Sequence, residues 1–404
     1  MNDGPLPGLT ALDLSRGLAG SICTLQLADA GARVIAVEPP QGNPTRQLEP
    51  SEIFSILNRD KESLAVDPST EEFAAILNRL VAESDVIVID RSLAVTIDRL
   101  QYEPMARLND RLVYCLLSPY GEHGAYADLP ATELELQGIT AHMSFLGEHG
   151  GPPVRTGADI GEVAAAMHAC TAILGALFVR DQTGKGQRVS VSAVTALLSV
   201  GSHWMADFSQ PDTFAGGITH PYEVPEVGYR CKDKHVMFGF FGRRADKRDP
   251  FQDLVKGLGL EDLLKDPFIA EHGAGYIGVG RDAQEMKPLL EESMKEIMSS
   301  EFIELVDRIG GRAAPFMRYD ELYRDPPHAE VQATGVLFDL DEEQRAVRSP
   351  WSVDADIGRT EHTRAPALGQ HTEAILEELK FTAGDISSMK ATGAIVCADG
   401  EDVA

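Results

Sequence analysis

The chain is short of the features that mark several protein classes. Its five cysteines (Cys23, Cys115, Cys170, Cys231 and Cys397) are scattered through 404 residues, with no CxxC pair and no Cys/His cluster at metal spacing. That argues against a disulfide framework or a zinc site, and a reducing compartment is the expectation. No uncharged apolar run reaches the ~18 residues of a membrane span, and the opening MNDGPLPG lacks the basic-then-apolar pattern of a secretory leader. The reading is a cytoplasmic chain with no membrane partner. Positive charge is scarce, 36 Lys and Arg against 63 Asp and Glu, for a formal net charge of −27. Such a field repels nucleic acid and anionic membranes, so an anionic ligand needs a built site. There is no P-loop, no GxSxG elbow, no HExxH and no EF-hand loop. GAGYIG at 273–278 fits GxGxxG but follows a proline-containing, helix-like stretch instead of a strand, so the phosphate-cradling context is missing.

What is present reads as α/β. GLTALDLSRGLAGSICTLQLADAGARVIAVEPP gives a strand over 9–14, a glycine-punctuated turn, a helix near 20–31 and the strand ARVIAVE, a βαβ unit. SLAVD, a helix over EEFAAILNRLVAES, then DVIVID and RLVYCLLS continue the alternation, which predicts a Rossmann-like parallel sheet. A long amphipathic helix over 159–180 ends at the TGKGQ turn, and RVSVSAV is one more strand or the entry to the next helix. The expected domains are 1–205 for the first part of the large domain, 206–225 for a Pro/Gly-rich linker and 226–335 for a smaller α+β domain. In that smaller domain YRCKDKHVMFGF forms a hairpin with Lys232–Lys234 at its tip, followed by helices at 250–265, 283–298 and 301–309. Residues 336–404 return to the large domain, with APALGQHTEAILEELKF as a capped helix.

Two groups of residues could carry chemistry. Arg243, Arg244, Lys247 and Arg248 form a basic cluster in an otherwise acidic chain; it can hold a phosphate or dicarboxylate, or be a solvated loop pairing with nearby acids. In RTGADIGEVAAAMHAC, Asp159 and Glu162 have the spacing of a capping box, in which Asp159 accepts from the Glu162 amide and Glu162 reaches back. The alternative is that a carboxylate at this helix start acts as a nucleophile toward an activated acyl group. Local sequence leaves both open.

Taken together, ALDLSRGLAGSICTLQLADAGARVIAVEPPQGNPTR, NRDKESLAVD, NDRLVYCLLSPYGEHGAYADLPATELELQG, GEHGGPPVRTG, TGKGQRVSVS and APALGQHTEAIL resemble the class III CoA-transferase family over residues 7–380. The resemblance implies a large Rossmann-like domain built from both chain ends, a small α+β domain between them, and two ring-shaped subunits threaded through each other. It implies transfer of CoA from an acyl-CoA to a carboxylate through an aspartate that forms a mixed anhydride and then a thioester, with no tightly bound cofactor and no metal. Anchored on TGKGQ and on Met167-His168, the catalytic position falls on Glu162, one methylene longer than aspartate, which moves the attacking oxygen by about 1–1.5 Å. CoA contacts are carried over to Ser15, Leu18, Ala19, Arg91 and Glu133, with Arg243, Arg244 and Lys247 as phosphate or substrate candidates.

The sequence departs from the family elsewhere too. Its Glu-Asn-Phe-Arg-Pro-Gly loop falls on Val88-Ile89-Asp90-Arg91-Ser92-Leu93, keeping only the arginine, and an aspartate beside anionic CoA is unfavourable. Thr132 stands where the family's racemases carry a histidine, which speaks against racemisation. Ala165-Ala166 replace the usual Thr-Gly. These departures favour the non-catalytic subunit of a heteromeric enzyme whose paralogous partner supplies the aspartate, acting from succinyl-CoA on an acceptor such as benzylsuccinate. The alternative is an active homodimer that uses Glu162.

Overall fold

The computed structural model describes residues 4–50, 52–145, 152–202, 228–240, 250–265, 267, 283–323, 328–341, 344–351 and 362–398. The linker at 206–225, the basic cluster Arg243, Arg244, Lys247 and Arg248, and GAGYIG lie outside the described residues. The chain forms two units: Met1–Met143, Arg155–Ser202 and Gln332–Ala404, and Ser144–Val154 with His203–Val331.

The first unit opens with β1 (Thr10–Leu14), α1 (Leu18–Asp29), β2 (Arg33–Glu38), α2 (Glu52–Asn58), β3 (Lys61–Val66), α3 (Glu71–Glu83) and β4 (Val86–Asp90). It continues through α4 (Arg91–Thr96), α5 (Tyr102–Leu108), β5 (Val113–Ser118), α6 (Glu133–Ile139), α7 (Ile160–Thr183), β6 (Arg188–Ser192) and α8 (Ala193–Val200). RVSVSAV thus supplies both a strand and a helix start, and Ser192 caps α8 by accepting from the Thr195 N–H at 3.3 Å. In the second unit β7 (Tyr229–Arg230), β8 (His235–Gly239) and β9 (Arg312–Pro315) form an antiparallel sheet. Its helices include α9 (Pro250–Gly257), α10 (Ala283–Met294) and α11 (Ser299–Arg308), with a core that includes Tyr229, Phe251, Leu254 and Phe302. The tail of the first unit adds the hairpin β10 (Leu337–Asp339) and β11 (Arg345–Val347), then α12 (Thr372–Glu378), α13 (Ala383–Thr392) and β12 (Ile395–Val396).

The main sheet has the order β12-β3-β2-β1-β4-β5-β6. Strand direction reverses only at β12, which pairs antiparallel with β3 and places Ile395 opposite Val66, so the sheet is not wholly parallel as read. Period-2 alternation sorts the core onto two faces. Leu12, Ile35 and Ile87 pack toward α3, whereas Ala11, Val34 and Val86 pack toward α1 and α7. Small residues on α7, including Ala165, Ala166 and Ala169, line the buried side facing that layer. The opposite side of α7 is apolar as well, with Val163, Met167, Leu174 and Phe178 exposed, the last at 66%. That corrects the expected amphipathic pattern, and it makes α7 long and apolar enough to cross a membrane by composition although one face is sheet-packed.

Helix α12 lacks the expected cap. His371 makes no side-chain cap bond, because the turn and first residue of the helix are engaged with β3. There Gly369 N–H donates to Ser63 Oγ at 2.9 Å and Thr372 Oγ1 accepts from Ala65 N–H at 3.0 Å. The side-chain box sits one helix later, where Thr382 and Asp385 satisfy each other's backbone amides at 2.9 and 3.2 Å.

Candidate active site

The order 3-2-1-4-5-6 reverses between β1 and β4, and ligands in open α/β sheets bind outside the carboxyl ends of the strands at such a switch point. A cleft of about 560 Å³ opens there, lined by Arg16 and Ala19 after β1, Asp90 and Arg91 at the end of β4, Ser118 at the end of β5, and Glu162 of α7.

The loop between β1 and α1 is fixed from below. Lys61, wholly buried, donates through Nζ to Asp13 Oδ2 (3.2 Å), Asn58 Oδ1 (2.9 Å) and the Ser21 carbonyl (3.0 Å). Asp13 also accepts from the Ser15 N–H (3.0 Å), the Ser15 hydroxyl (2.6 Å) and the Thr24 hydroxyl (2.6 Å). Asn43 Nδ2 holds the Ser15 carbonyl at 2.7 Å. Ser15 is therefore buried under the loop, while Ala19 stands on the cleft wall. A Cβ on Gly20 would lie 2.0 Å from Ser15 Oγ, so this close return of the chain requires glycine.

Helix α1 begins at Gly17 without a side-chain cap and with no acid in its first turn. Its free amides meet Glu162 instead, whose Oε2 accepts from the Ala19 N–H at 3.0 Å. Burial pushes the Glu162 carboxyl above its usual value; the Ala19 amide opposes this, and the Glu133 and Asp159 charges add to it.

The capping box expected from Asp159 and Glu162 does not form. Asp159 makes no side-chain cap bond and pairs with Arg155 at 2.5 Å. The start of α7 is capped from α6: Glu133 Oε1 accepts from the Gly161 N–H at 2.8 Å and Oε2 from the Glu162 N–H at 3.1 Å. Gln137 braces Glu133 at 2.7 Å and accepts from the Thr156 N–H at 2.9 Å. A neighbouring helix therefore supplies the acceptor that the local spacing seemed to provide, leaving Glu162 to face the cleft. Glu133→Gln turns one carboxylate acceptor into a donor facing these amides. Denaturant unfolding is expected to show a loss of about 1–3 kcal/mol, with a fall in turnover as Glu162 shifts.

In the sequence Asp90 stands out only as a departure, an aspartate at the place of the family's phenylalanine. In the structure it lines the cleft, occupies the N-cap position of α4 without capping it, and accepts from the Arg16 N–H at 2.6 Å. Burial pushes its carboxyl up to about 7; the Arg16 amide pulls the other way, and the Asp13 and Glu162 charges raise it further. The clue in the sequence is its place as the last residue of a buried strand at the switch point. Arg91 is already engaged, donating to Asp128 at 2.6 Å and to the Ala127 carbonyl at 2.8 Å. Arg16, not singled out in the sequence, is the cleft's cation whose side chain has no ion-pair or hydrogen-bond partner among the described residues. Leu18 begins α1 and is half-buried.

Asp29, Asp60 and His362 bring potential metal-ligand atoms within 4.8 Å of one another. A resident cation already occupies this cluster, since Arg59 Nη2 donates to both Asp29 oxygens at 2.8 and 2.9 Å.

A doubly wound sheet with a carboxylate held at a helix N-terminus in the switch-point cleft is the arrangement of an α/β protein that binds a small ligand at the carboxyl ends of its strands. Residues 6–372 match CoA-transferase family III, and the chain belongs to that family. It is 26% identical to human succinyl-CoA:glutarate CoA-transferase over 410 residues, 98% of this chain and 90% of that one. It is 30% identical to the acetyl-CoA:oxalate CoA-transferase of Acetobacter aceti over 353 residues, 83% of this chain and 87% of that one. The crystal structure of a CAIB/BAIF family protein from Brucella suis superposes with a TM-score of 0.81 at 26% identity, covering 93% of this chain and all of that one. The protein is accordingly a class III CoA-transferase, an enzyme whose substrates are a CoA thioester and a carboxylate, with no tightly bound cofactor.

Proposed function

We propose that this chain moves CoA from succinyl-CoA to a short dicarboxylate, with Glu162 as the acyl-accepting carboxylate. The observation that carries this reading is the placement of Glu162: relieved of capping by Glu133, it is held by the Ala19 amide at the wall of the cleft. Its oxygen attacks the thioester carbonyl, forming a C–O bond and expelling the CoA thiolate. The thiolate then attacks the Glu162 carbonyl, releasing succinate and leaving a glutamyl-CoA thioester. The acceptor carboxylate attacks that thioester, and the returning thiolate takes the acceptor's acyl group. The α1 amides stabilise the negative charge that develops at each step. Ala19 offers a wall for the thioester, with Ser15 and Glu133 fixing the loop and helix start behind it and Arg91 bordering the cleft.

Glutarate and oxalate, named for the two relatives, set the acceptor class, and benzylsuccinate is an arylated candidate to be tested beside them. Arg16 anchors the carboxylate that does not react. Arg16→Ala is expected to raise the KM for the dicarboxylate about 10-fold or more with a smaller change in kcat, since the contact is kept through the transition state.

The second reading, a non-catalytic subunit that needs an aspartate-bearing paralogue, is supported by Asp90 on the cleft wall and by Arg91 being tied to Asp128. The exposed apolar side of α7 supports oligomerisation in either case. The deciding experiment incubates the chain alone, its oligomeric mass known, with succinyl-CoA and glutarate or oxalate and separates the CoA esters by chromatography. The expected result is the new acyl-CoA from a homo-oligomer. A product that forms only when an aspartate-bearing homologue is added would replace this reading with the second.

A further inference from the structure

We propose a second activity for the same cleft, acyl-CoA hydrolysis, in which Asp90 is the base that directs water onto the acyl group held by Glu162. It rests on the reading of Glu162 as the acyl-accepting carboxylate.

The two carboxyls hang from one loop. Asp90 Oδ2 accepts from the Arg16 N–H and Glu162 Oε2 from the Ala19 N–H, three residues further along. Among the described residues neither carboxyl has another hydrogen-bond donor, so each keeps one oxygen unpaired at the cleft wall. Asp90 does not cap α4, which starts without a bond from its side chain, and its contact with the Arg16 amide uses only one of its two oxygens. The charged groups around it are Arg16, Asp13 and Glu162, with Arg91 turned to Asp128. Burial raises the Asp90 carboxyl well above the ordinary carboxylate range, so it binds a proton more readily and can take one from water and pass it on. Solvent reaches the rim, where the Asp128 side chain is 84% exposed.

The steps balance without any further reagent. The Glu162 carboxylate attacks the thioester, the C–S bond breaks, and CoA leaves as thiolate. Water then attacks the acyl carbonyl of the anhydride and gives one proton to the Asp90 carboxylate. The bond from the acyl carbon to the Glu162 oxygen breaks, restoring the Glu162 carboxylate and releasing the acid, which ionises. Protonated Asp90 passes its proton to the CoA thiolate. The sum is acyl-CoA plus water giving carboxylate, CoA thiol and one proton.

The test follows succinate and free CoA released from succinyl-CoA by the full chain with no acceptor present. Wild type is expected to show a burst of succinate equal to the enzyme concentration, as Glu162 passes to its glutamyl-CoA thioester, then continued release of both products, and turnover in ¹⁸O-water should place solvent label in succinate. Asp90→Asn, whose amide oxygen can still accept from Arg16, is expected to show the burst followed by turnover about 100-fold slower. A wild-type burst without turnover, or Asp90→Asn hydrolysing at the wild-type rate, overturns the hydrolysis proposal alone. No burst at all overturns the Glu162 reading and this proposal with it.

Discussion

Glu162→Gln is expected to lower CoA transfer from succinyl-CoA to glutarate by about 10⁶-fold, the scale seen when the nucleophile of a covalent mechanism is removed. The amide cannot form the anhydride. Thermal unfolding should change little, because Glu133 holds the α7 amides and the Glu162 side chain contributes a single bond to Ala19. Glu162→Asp draws the oxygen back from the Ala19 amide by about one C–C bond, and a misplacement near 1 Å costs about 10²-fold. A Gln variant that keeps more than about one hundredth of the wild-type rate would remove Glu162 from the mechanism.

That contrast shows where the sequence was informative. The βαβ opening, the buried strand DVIVID and the segment RVSVSAV were legible because strand and helix periodicities are local. The capping of α7 was not. Asp159 and Glu162 have the right spacing, but Glu133 reaches the same amides from a helix that starts 27 residues before α7, and spacing cannot reveal which acceptor arrives. Asp90 suffered the opposite fate. Compared with its family it was only a departure, and its value as a proton carrier depends on burial and on two neighbouring acids that the linear sequence does not place beside it. Arg16 was overlooked because its neighbours in sequence are unremarkable, and its lack of a partner is a fact of packing.

Lys61→Ala is expected to destabilise the chain by about 3–5 kcal/mol, the scale for breaking a buried charge pair from one side. It leaves Asp13 without its cation and strips a donor from Asn58 and from the Ser21 carbonyl. Because Asp13 also sets Ser15, the loss should loosen the loop that presents Arg16 and Ala19, so turnover falls along with the denaturation midpoint. Burial lowers the Lys61 pKa below 10.5. Between that lowered value and 10.5 the unfolded chain binds more protons, so the lysine's contribution to stability rises with pH across the window. The gap between wild type and Lys61→Ala should therefore widen on the alkaline side. A gap that narrows there would contradict a buried, desolvated lysine.

The short strand β12 has a bearing on synthesis. It covers the free edge of β3, with Ile395 opposite Val66, so the sheet begun in the first part of the chain stays open until almost the last described residues are made. During synthesis the β3 edge therefore stays unpaired until β12 has been made, a topology that folds slowly and invites strand addition from other chains. A truncation that removes β12 should leave that edge permanently exposed and raise the tendency to aggregate.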